Sequence, residues 1–421
     1  MGQVIRSEDV CQLIVGTLKL IDSKVMGHSC RTAFMVYAML KASGKYEDFE
    51  LAEITFVVAL HDIGAYRVEQ GVESLQYEFE EPLPHSIYGY LFMKSLTPYE
   101  QLSKIILYSH VDHTKLKNIN FQYKNVANIL NLAGMIEHFR SIKGKKFNTN
   151  NLRRYIGSKF SELPFNLLDI AARRYDMFEM LDSGEYLDEL YESFKKVMFA
   201  DEDKEKMLEL LVYIMALSES RRAGEAIICM DVAEQIARRL DGITEEDIEK
   251  LHYAGLLHDI GLSKVPKELR NPANLKEESD IKKFCRHLET ADDLLRNRID
   301  PEICDIIARH HERIDGSGIP NQMEAPDMTM NDKILQLSER IADIAMSGNV
   351  DSVKPAATIA AIVTNEMDHN KFQRKIVMAF CGDKEEIMEH AVTRRDEIMA
   401  DFEKINLQYK QLSSAMGVTK T

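Results

Sequence analysis

Five residues able to hold a metal ion follow one another in the second half of the chain. An apolar run ends at His258 and Asp259, and further imidazoles stand at His287, His310 and His311. Imidazole and carboxylate ligands without thiolate suit Fe, Mn, Ni or Zn ions. Because this HD pair closes an apolar segment and is followed by three more imidazoles, the pattern predicts a metal site.

The same succession of residues occurs in the first half of the chain. His61 and Asp62 precede His258 and Asp259 by 197 residues, within the matching strings ALHDIG and LLHDIG. The remaining matches keep the same order: His85 with His287, the segment ending at His110 with the segment ending at His311, and residues 129–134 with 334–339. Ordered matches with similar gaps indicate two tandem copies of one domain.

The elements that carry these residues are predicted to be helices. Apolar residues recur at three- and four-residue spacing over 207–217 and 231–240, and no long alternating stretch indicates strands. Thr244, with Asp247 three residues later, predicts a helix start with a capping box. We therefore expect an all-α fold made of two tandem helical bundles with a C-terminal helix.

A short charged run at 200–204 is the expected boundary between the two copies. It predicts domains at 1–200 and 201–421, and a connecting helix over 183–198 is the alternative to a linker. Seven-residue spacing in the C-terminal tail (Ala391, Ile398, Ile405, Leu412) indicates packing against its own domain, with a homodimer seam as the alternative.

Composition limits the partners that the chain can have. The 421 residues carry a net charge of −15, which argues against binding duplex nucleic acid but leaves a small phosphate substrate open. Six cysteines without CxxC spacing predict neither a disulfide framework nor a zinc ribbon. No apolar run approaches eighteen residues and no signal sequence opens the chain, so we expect a cytoplasmic protein without a membrane span.

A turn after the paired histidines carries a family resemblance. Arg313 is followed by the string Asp315-Gly316-Ser317-Gly318-Ile319-Pro320. Together with the HD pair and the spaced histidines, this turn resembles the HD-GYP phosphohydrolases, and the resemblance covers most of both halves. It implies an all-helical, metal-dependent domain of the HD type that hydrolyses cyclic dinucleotides such as cyclic di-GMP.

The resemblance also implies a ligand set for the second half. The family supplies an early His, the HD pair, a middle His, a His-His pair and a final Asp. From the HD pair onwards, the residues at these positions are His258, Asp259, His287, His310, His311 and Glu339. The early His falls 32 residues before His258, at Ala226, and is missing. Glu225 beside it would point about 100° away around a helix. We expect one complete metal position, held by Asp259 and the last three histidines, and a weaker second one.

The first half keeps a different part of the set. His28, His61, Asp62, His85 and His110 occupy ligand positions. Ser109 and Gly134 replace the first of the paired histidines and the final Asp, and no GYP-like turn follows. The first domain is therefore expected to be degenerate.

Substrate contacts and charge compensation are assigned by the same resemblance. Asp259 would bridge two metals, because its carboxylate has two oxygens, and Lys264 and Arg313 would offset phosphate charge. Leu262 stands where the family has a Lys after the HD turn. The residues expected to contact substrate are Arg313, Asp315, Gly318 and Pro320.

These observations predict a metal-dependent phosphodiesterase acting on a cyclic dinucleotide, or another nucleotide phosphate, with one or two divalent ions in the second domain. Two alternatives stay open. The first alternative is a non-catalytic nucleotide sensor or a scaffold for a signalling protein, which the missing early His and the presence of Leu262 favour. The third interpretation is a phosphatase acting on a linear nucleotide.

Overall fold

The regular elements of the chain are helical wherever the structure describes it, at residues 5–67, 83–218, 220–348 and 353–416 of a computed structural model. Within these ranges the β-contacts are two isolated bridges, Ile156 with Phe160 and Asp315 with Glu324. The prediction of an all-α protein is confirmed. No helix of the described ranges is both long and apolar enough to cross a membrane.

Two compact units make up the chain. The N-terminal unit consists of Ser7–Leu210 together with the C-terminal residues from Glu403 on, and the C-terminal unit contains Leu211–Phe402. The division after Leu210 falls inside the helix Asp201–Ser218. The charged run at 200–204 forms the acidic first turn of this helix and is not a linker.

The first three helices of the N-terminal unit lead to the first HD pair. Its α-helices up to residue 218 are α1 (Ser7–Ile21), α2 (Ser23–Ser43), α3 (Asp48–Ala59), α4 (Leu83–Leu96), α5 (Glu100–Leu107), α6 (His113–Leu116), α7 (Lys124–Lys143), α8 (Glu162–Arg174), α9 (Met177–Ser183), α10 (Tyr186–Phe194) and α11 (Asp201–Ser218). Helix α2 packs against both α3 and α7, and its buried face carries His28. This packing places the early histidine opposite the end of α3, where the HD pair stands.

The C-terminal unit shows the same succession of elements around the second HD pair. Its helices are α12 (Ser220–Ala237), α13 (Glu245–Leu257), α14 (Glu278–Leu295), α15 (Pro301–Ala308), α16 (Met330–Met346), α17 (Ala356–Asp368), α18 (Arg374–Gly382) and α19 (Lys384–Ala415), the last of which continues into the N-terminal unit. Helix α12 packs against both α13 and α16, as α2 packs against α3 and α7. The ligand positions therefore lie on corresponding elements in the two units.

A glycine after each HD pair lets the next ligand-bearing helix approach the turn directly. A Cβ on Gly261 would lie 2.1 Å from the carbonyl oxygen of His287, and a Cβ on Gly64 would lie 2.0 Å from that of His85. Only a residue without a side chain fits such a contact between two backbones. The distance between the HD turn and the helix carrying the middle histidine is thus set by the main chain.

The C-terminal tail is part of the core rather than an exposed seam. Ala391, Ile398 and Ile405 are buried within the single chain, and Leu412 is half-buried. In the C-terminal unit, Phe402 stacks on Tyr213 with ring centroids 6.2 Å apart. The heptad spacing thus reflects intramolecular packing, which was the favoured interpretation of the pattern.

The predicted capping box at the start of α13 is confirmed. The Thr244 hydroxyl accepts from the backbone N–H of Asp247 at 3.1 Å, and the Asp247 carboxylate accepts from the backbone N–H of Thr244 at 2.9 Å. This reciprocal arrangement fixes the first turn of the helix that ends at the second HD pair.

Replacing Thr244 by alanine is expected to lower the free energy of unfolding by about 1 kcal/mol, because the backbone N–H of Asp247 loses the hydroxyl that accepts from it. Thermal denaturation would measure the loss. Thr290→Ala is the matched control, since Thr290 is a half-buried residue in the middle of α14 that caps no helix, and alanine is the better helix former. Equal losses in both variants would contradict a capping role.

Candidate metal centre

Four ligand side chains from three elements converge in the C-terminal unit. Asp259 follows α13, His287 lies in α14, and His310 and His311 follow α15. Their ligand atoms all lie within 4.8 Å of one another. All four side chains are buried, although His311 is 9% exposed. The structure thus brings together the four residues expected to form the complete metal position.

The imidazoles are oriented by the backbone turns that precede them. The Nδ1–H of His258, His287 and His310 donates to the carbonyl oxygen three residues earlier, at 2.8, 2.6 and 2.6 Å. A histidine that donates from Nδ1 presents the lone pair of Nε2 on the opposite side of the ring. Each ring therefore points its acceptor nitrogen away from the main chain.

The acceptor nitrogens of the cluster fit a metal ion. Within the described part of the chain, the buried Nε2 atoms of His287, His310 and His311 have no hydrogen-bond partner. Buried polar atoms are normally satisfied, so three convergent unsatisfied acceptors next to a carboxylate fit the donor set of a cation site. Burial lowers the pKa of His310 and His311 well below the usual value, which keeps both imidazoles neutral and able to bind metal.

The two carboxylate oxygens of Asp259 face different surroundings. Oδ1 lies 3.8 Å from His310 Nε2, on the side of the four-residue cluster. Oδ2 lies 3.6 Å from His258 Nε2 and 3.7 Å from Arg222 Nη1. Burial opposes ionisation of this carboxyl, but the neighbouring His258 and Arg222 outweigh it and lower the pKa of Asp259. The carboxylate is thus poised to bind a cation through Oδ1.

The early-histidine position is occupied by Glu225, not by Ala226. Ala226 is fully buried in the apolar core, whereas the buried Glu225 carboxylate accepts from Arg221 Nε and from Arg222 Nη1, both at 2.7 Å. The expectation that Glu225 points away from the site was wrong, because the spacing of 32 residues was one too short. The offset of 197 residues between the two HD pairs carries His28 onto Glu225 and contained the correct signal.

A pocket of about 410 Å³ opens beside the cluster, and its lining includes His311, Arg313, Gly318 and Glu339. Arg313 Nη2 lies 3.4 Å from Glu339 Oε2, and its guanidinium stands over the Phe372 ring. Glu339 Oε1 lies 3.9 Å from His311 Nδ1. Burial raises the pKa of Glu339 to about 7, although Arg313 partly offsets this effect. The final ligand position therefore lies at the pocket, next to the cluster.

The turn that resembles the GYP signature is held by a buried glutamate. Glu312 is fully buried and accepts from the backbone N–H groups of Asn321 at 2.7 Å and Met323 at 3.0 Å. A Cβ on Gly318 would lie 2.3 Å from the Arg313 backbone nitrogen, so this glycine allows the turn to fold back on itself. Gly318 thus shapes the pocket wall through its backbone.

Three predicted contact residues are not brought to this pocket. Lys264 is exposed, and it does not line the pocket, because the turn after the HD pair directs Leu262 into an apolar cluster with Val265 and Phe284. Asp315 is exposed and accepts from the Ser317 backbone N–H at 3.0 Å, which makes it a turn-forming residue. Pro320 is exposed after a cis peptide bond and is likewise absent from the pocket lining.

The N-terminal unit assembles a second cluster, in which ligand atoms of His28, His61 and Asp62 lie within 4.8 Å of one another. Asp62 Oδ2 lies 3.7 Å from His28 Nε2 and 3.2 Å from His61 Nε2, while Oδ1 lies 3.9 Å from His85 Nε2. His85 and His110 approach each other, with their Nε2 atoms 3.1 Å apart. Three of the predicted histidines, His28, His61 and His85, therefore surround the Asp62 carboxylate, and His110 contacts His85.

The two substituted positions of the N-terminal cluster leave a gap. Ser109 turns its hydroxyl back to the carbonyl oxygen of Ile106 at 2.8 Å. A small cavity of about 10 Å³ is lined in part by Ser109, His110 and Gly134. His28 is held from its other nitrogen by Glu137, which Arg31 also binds. This unit thus keeps the early-histidine side of the site more completely than the final-carboxylate side.

Sequence reasoning missed several charged residues of the C-terminal site. Arg340 and Lys371 line the pocket, and Arg222 reaches the HD carboxylate. The motif positions gave no signal for Arg340 or Lys371, because both lie outside the turn that resembles the GYP signature. Arg222 stands one helical turn before the early-histidine position, and a charged residue there was the available signal.

Comparison with known proteins agrees with this architecture. Residues 209–371 match the HD domain family. A crystal structure of the cyclic GMP-AMP-specific phosphodiesterase V-cGAP3 from Vibrio cholerae shares the fold with a TM-score of 0.59, covering 90% of this chain and 97% of that chain at 13% identity. The expected resemblance to the HD-type phosphohydrolases is thereby confirmed, and the described residues include two clusters able to bind metal.

Relatives with similar sequences are named as cyclic dinucleotide phosphodiesterases. The 3'3'-cGAMP-specific phosphodiesterase 1 of Vibrio cholerae is 21% identical over 341 residues, which cover 75% of this chain and 77% of that protein. The cyclic di-GMP phosphodiesterase response regulator RpfG of Xanthomonas campestris is 26% identical over 185 residues, or 42% of this chain and 48% of that protein.

Proposed function

We propose that the C-terminal unit, Leu211–Phe402, is a metal-dependent phosphodiesterase that hydrolyses a cyclic dinucleotide. The observation that carries this proposal is the convergence of Asp259 with three unsatisfied imidazole acceptors next to the pocket that Arg313 lines. The similarity to phosphodiesterases named for 3'3'-cGAMP and cyclic di-GMP supports the substrate class.

The chain's own residues would bind the metal ion and keep its ligands in position. An ion bound by Asp259, His287, His310 and His311 would supply Lewis acidity and a more acidic water, which is the chemistry that phosphodiester hydrolysis needs. The backbone carbonyls that accept from Nδ1 of His287 and His310 keep both rings in place without reorganisation.

Recognition of the dinucleotide phosphates would come from the cationic side of the pocket. Arg313 presents a planar guanidinium able to bind phosphate oxygens in pairs, and stacking over Phe372 limits its motion. Lys371 adds positive charge to the same lining, in which Arg340 is paired with Asp343 and Glu366. The lining also contains the carboxylates of Glu339, Asp343 and Glu366, so the phosphate-facing charge would come from individual cations rather than from a net positive patch.

The test is a turnover assay on the full chain loaded in turn with Mn, Fe, Ni or Zn. We expect hydrolysis of 3'3'-cGAMP or cyclic di-GMP. Chromatography separates and quantifies the linear and mononucleotide products. A linear dinucleotide serves as the competing substrate. Exclusive turnover of the linear compound would replace this proposal by the phosphatase interpretation.

Arg313→Ala is expected to lower kcat/KM for the cyclic dinucleotide by about 10- to 100-fold, because a charge-assisted contact to phosphate is worth about 1.5–3 kcal/mol. Arg296→Ala is the matched control, since Arg296 is a surface guanidinium of the same unit that pairs with Asp292 and Asp305. Initial rates over a range of substrate concentrations give the comparison. Equal kinetics for Arg313→Ala and the control would remove Arg313 from the substrate site.

A nucleotide sensor without turnover is the second candidate, and one observation favours it. Where the first unit has His28, the second has Glu225 paired to Arg221 and Arg222, so the early ligand is lost. Calorimetric binding of a cyclic dinucleotide without product formation, under every metal tested, would select this function over hydrolysis.

A further inference from the structure

The second oxygen of Asp259 forms an ion pair with a guanidinium. Arg222 Nη1 lies 3.7 Å from Asp259 Oδ2 and donates to Glu225 Oε2 at 2.7 Å. Arg222 Nη2 donates to the backbone carbonyl oxygen of Arg270 at 2.6 Å. These contacts anchor the guanidinium from two further sides. The cation is therefore held beside the carboxylate by defined partners.

The N-terminal unit shows what stands at the same place when no arginine is present. There the corresponding oxygen, Oδ2 of Asp62, faces the imidazoles of His28 and His61 and accepts from the Ser29 hydroxyl at 3.0 Å. The residue 197 positions before Arg222 is Val25, which has no charge to contribute. Oδ2 of Asp62 thus lies beside two imidazole nitrogens. Oδ2 of Asp259 lies beside one imidazole nitrogen and a fixed positive charge.

We infer that Arg222 takes the place and the charge of a second metal ion, so that the C-terminal unit binds a single metal. The inference deepens the proposed function and rests on its metal site. Arg222 neutralises Oδ2 of Asp259 and so leaves Oδ1 to bind the ion held by His287, His310 and His311. A divalent ion beside Oδ2 would meet the guanidinium at close range, and like charges in a buried site repel strongly. Arg222 is thus a positioning residue for the metal ligand.

Three variants with Glu225 or Arg222 changed would separate this role from a merely structural ion pair. All are made in the full chain with His61→Gln and Asp62→Asn, which disable the N-terminal cluster. Arg222→Ala with Glu225→His rebuilds an early histidine and removes the guanidinium. Arg221→Ala with Glu225→His is the matched control, because Arg221 also binds Glu225 but leaves Arg222 in place. Arg222→Lys keeps the positive charge.

The readout is manganese content after equilibration with Mn²⁺ alone, together with the electron paramagnetic resonance spectrum. The parent, the control and Arg222→Lys are expected to bind one Mn²⁺ per chain with the six-line spectrum of an isolated ion. Arg222→Ala with Glu225→His is expected to bind two, with the broadened spectrum of a coupled pair. Neither measurement depends on catalysis, so an inactive protein with these metal counts would refute the proposed hydrolysis and leave the inference standing.

Two results would overturn the inference. One is a coupled pair of Mn²⁺ ions in the parent, which would mean that Arg222 does not exclude the second metal. The other is a single ion in Arg222→Ala with Glu225→His when circular dichroism shows an intact helical fold. If that variant does not fold, Arg222→Gln replaces it, because it removes the charge at similar size. One ion in Arg222→Gln up to millimolar Mn²⁺ would equally overturn the inference.

Discussion

Replacing His310 and His311 together by alanine is expected to remove the metal from the C-terminal unit and to abolish measurable phosphodiesterase activity. Both residues present buried Nε2 acceptors to the cluster around Asp259. Loss of an outer-shell partner alone costs about 10- to 100-fold in affinity or activity, so the loss of two direct ligands must exceed about 100-fold. Metal analysis and the turnover assay on one preparation give both quantities.

The matched control for this pair is His369→Ala. His369 is an exposed histidine of the same unit whose Nδ1 also bonds to a backbone carbonyl, at 2.7 Å. It should retain full metal content and activity. If instead His61→Ala removed metal and activity while the His310 and His311 pair did not, the N-terminal cluster would be the working site and the assignment would be reversed.

Replacing Gly261 by alanine is expected to destabilise the C-terminal unit and to weaken its metal binding together. The added methyl would lie 2.1 Å from the His287 carbonyl oxygen and 2.9 Å from its carbonyl carbon. Because the opposing group is backbone, relief requires a shift of α14. Overpacking costs about 1–3 kcal/mol or more. A loss of 3 kcal/mol corresponds to a fall of about 6–12 °C in Tm for a domain of this size.

Gly382→Ala is the control for this substitution, because a Cβ at Gly382 meets no atom within 4 Å. Thermal denaturation and manganese titration of both variants test the coupling. A normal Tm and metal affinity in Gly261→Ala would contradict the prediction, because the turn and α14 could then move apart without a loss of stability. Gly64→Ala gives an internal comparison, since its Cβ would lie 2.0 Å from the His85 carbonyl oxygen in the other unit.

The residues that converge on the metal cluster could be predicted because helix-borne ligands are fixed by backbone position. The HD pair, His287 and the paired histidines stand at the ends or on the buried faces of helices, and an apolar pattern identifies those places without a structure. Thr244 is the same kind of case, since its cap is a local arrangement of four residues. The all-α class likewise follows from the spacing of apolar residues.

Residues outside these positions required the structure. An error of one residue in spacing turns a helical side chain by about 100°, which is why Ala226 was expected where Glu225 stands. Lys264 was assigned by nearness in sequence, but the turn directs Leu262 inward and Lys264 into solvent. Arg222, Arg340 and Lys371 reach the site through long side chains, whose end points are not encoded in a motif.

The contact between Gly261 and the backbone of His287 has a consequence for engineering. Distances between ligands are usually adjusted by repacking the side chains between the elements that carry them, but here no side chain separates the turn from the helix. Redesign of core side chains therefore cannot adjust the spacing between Asp259 and His287. A change of metal preference in this chain has to come from the chemical identity of the ligands and of the cations around them.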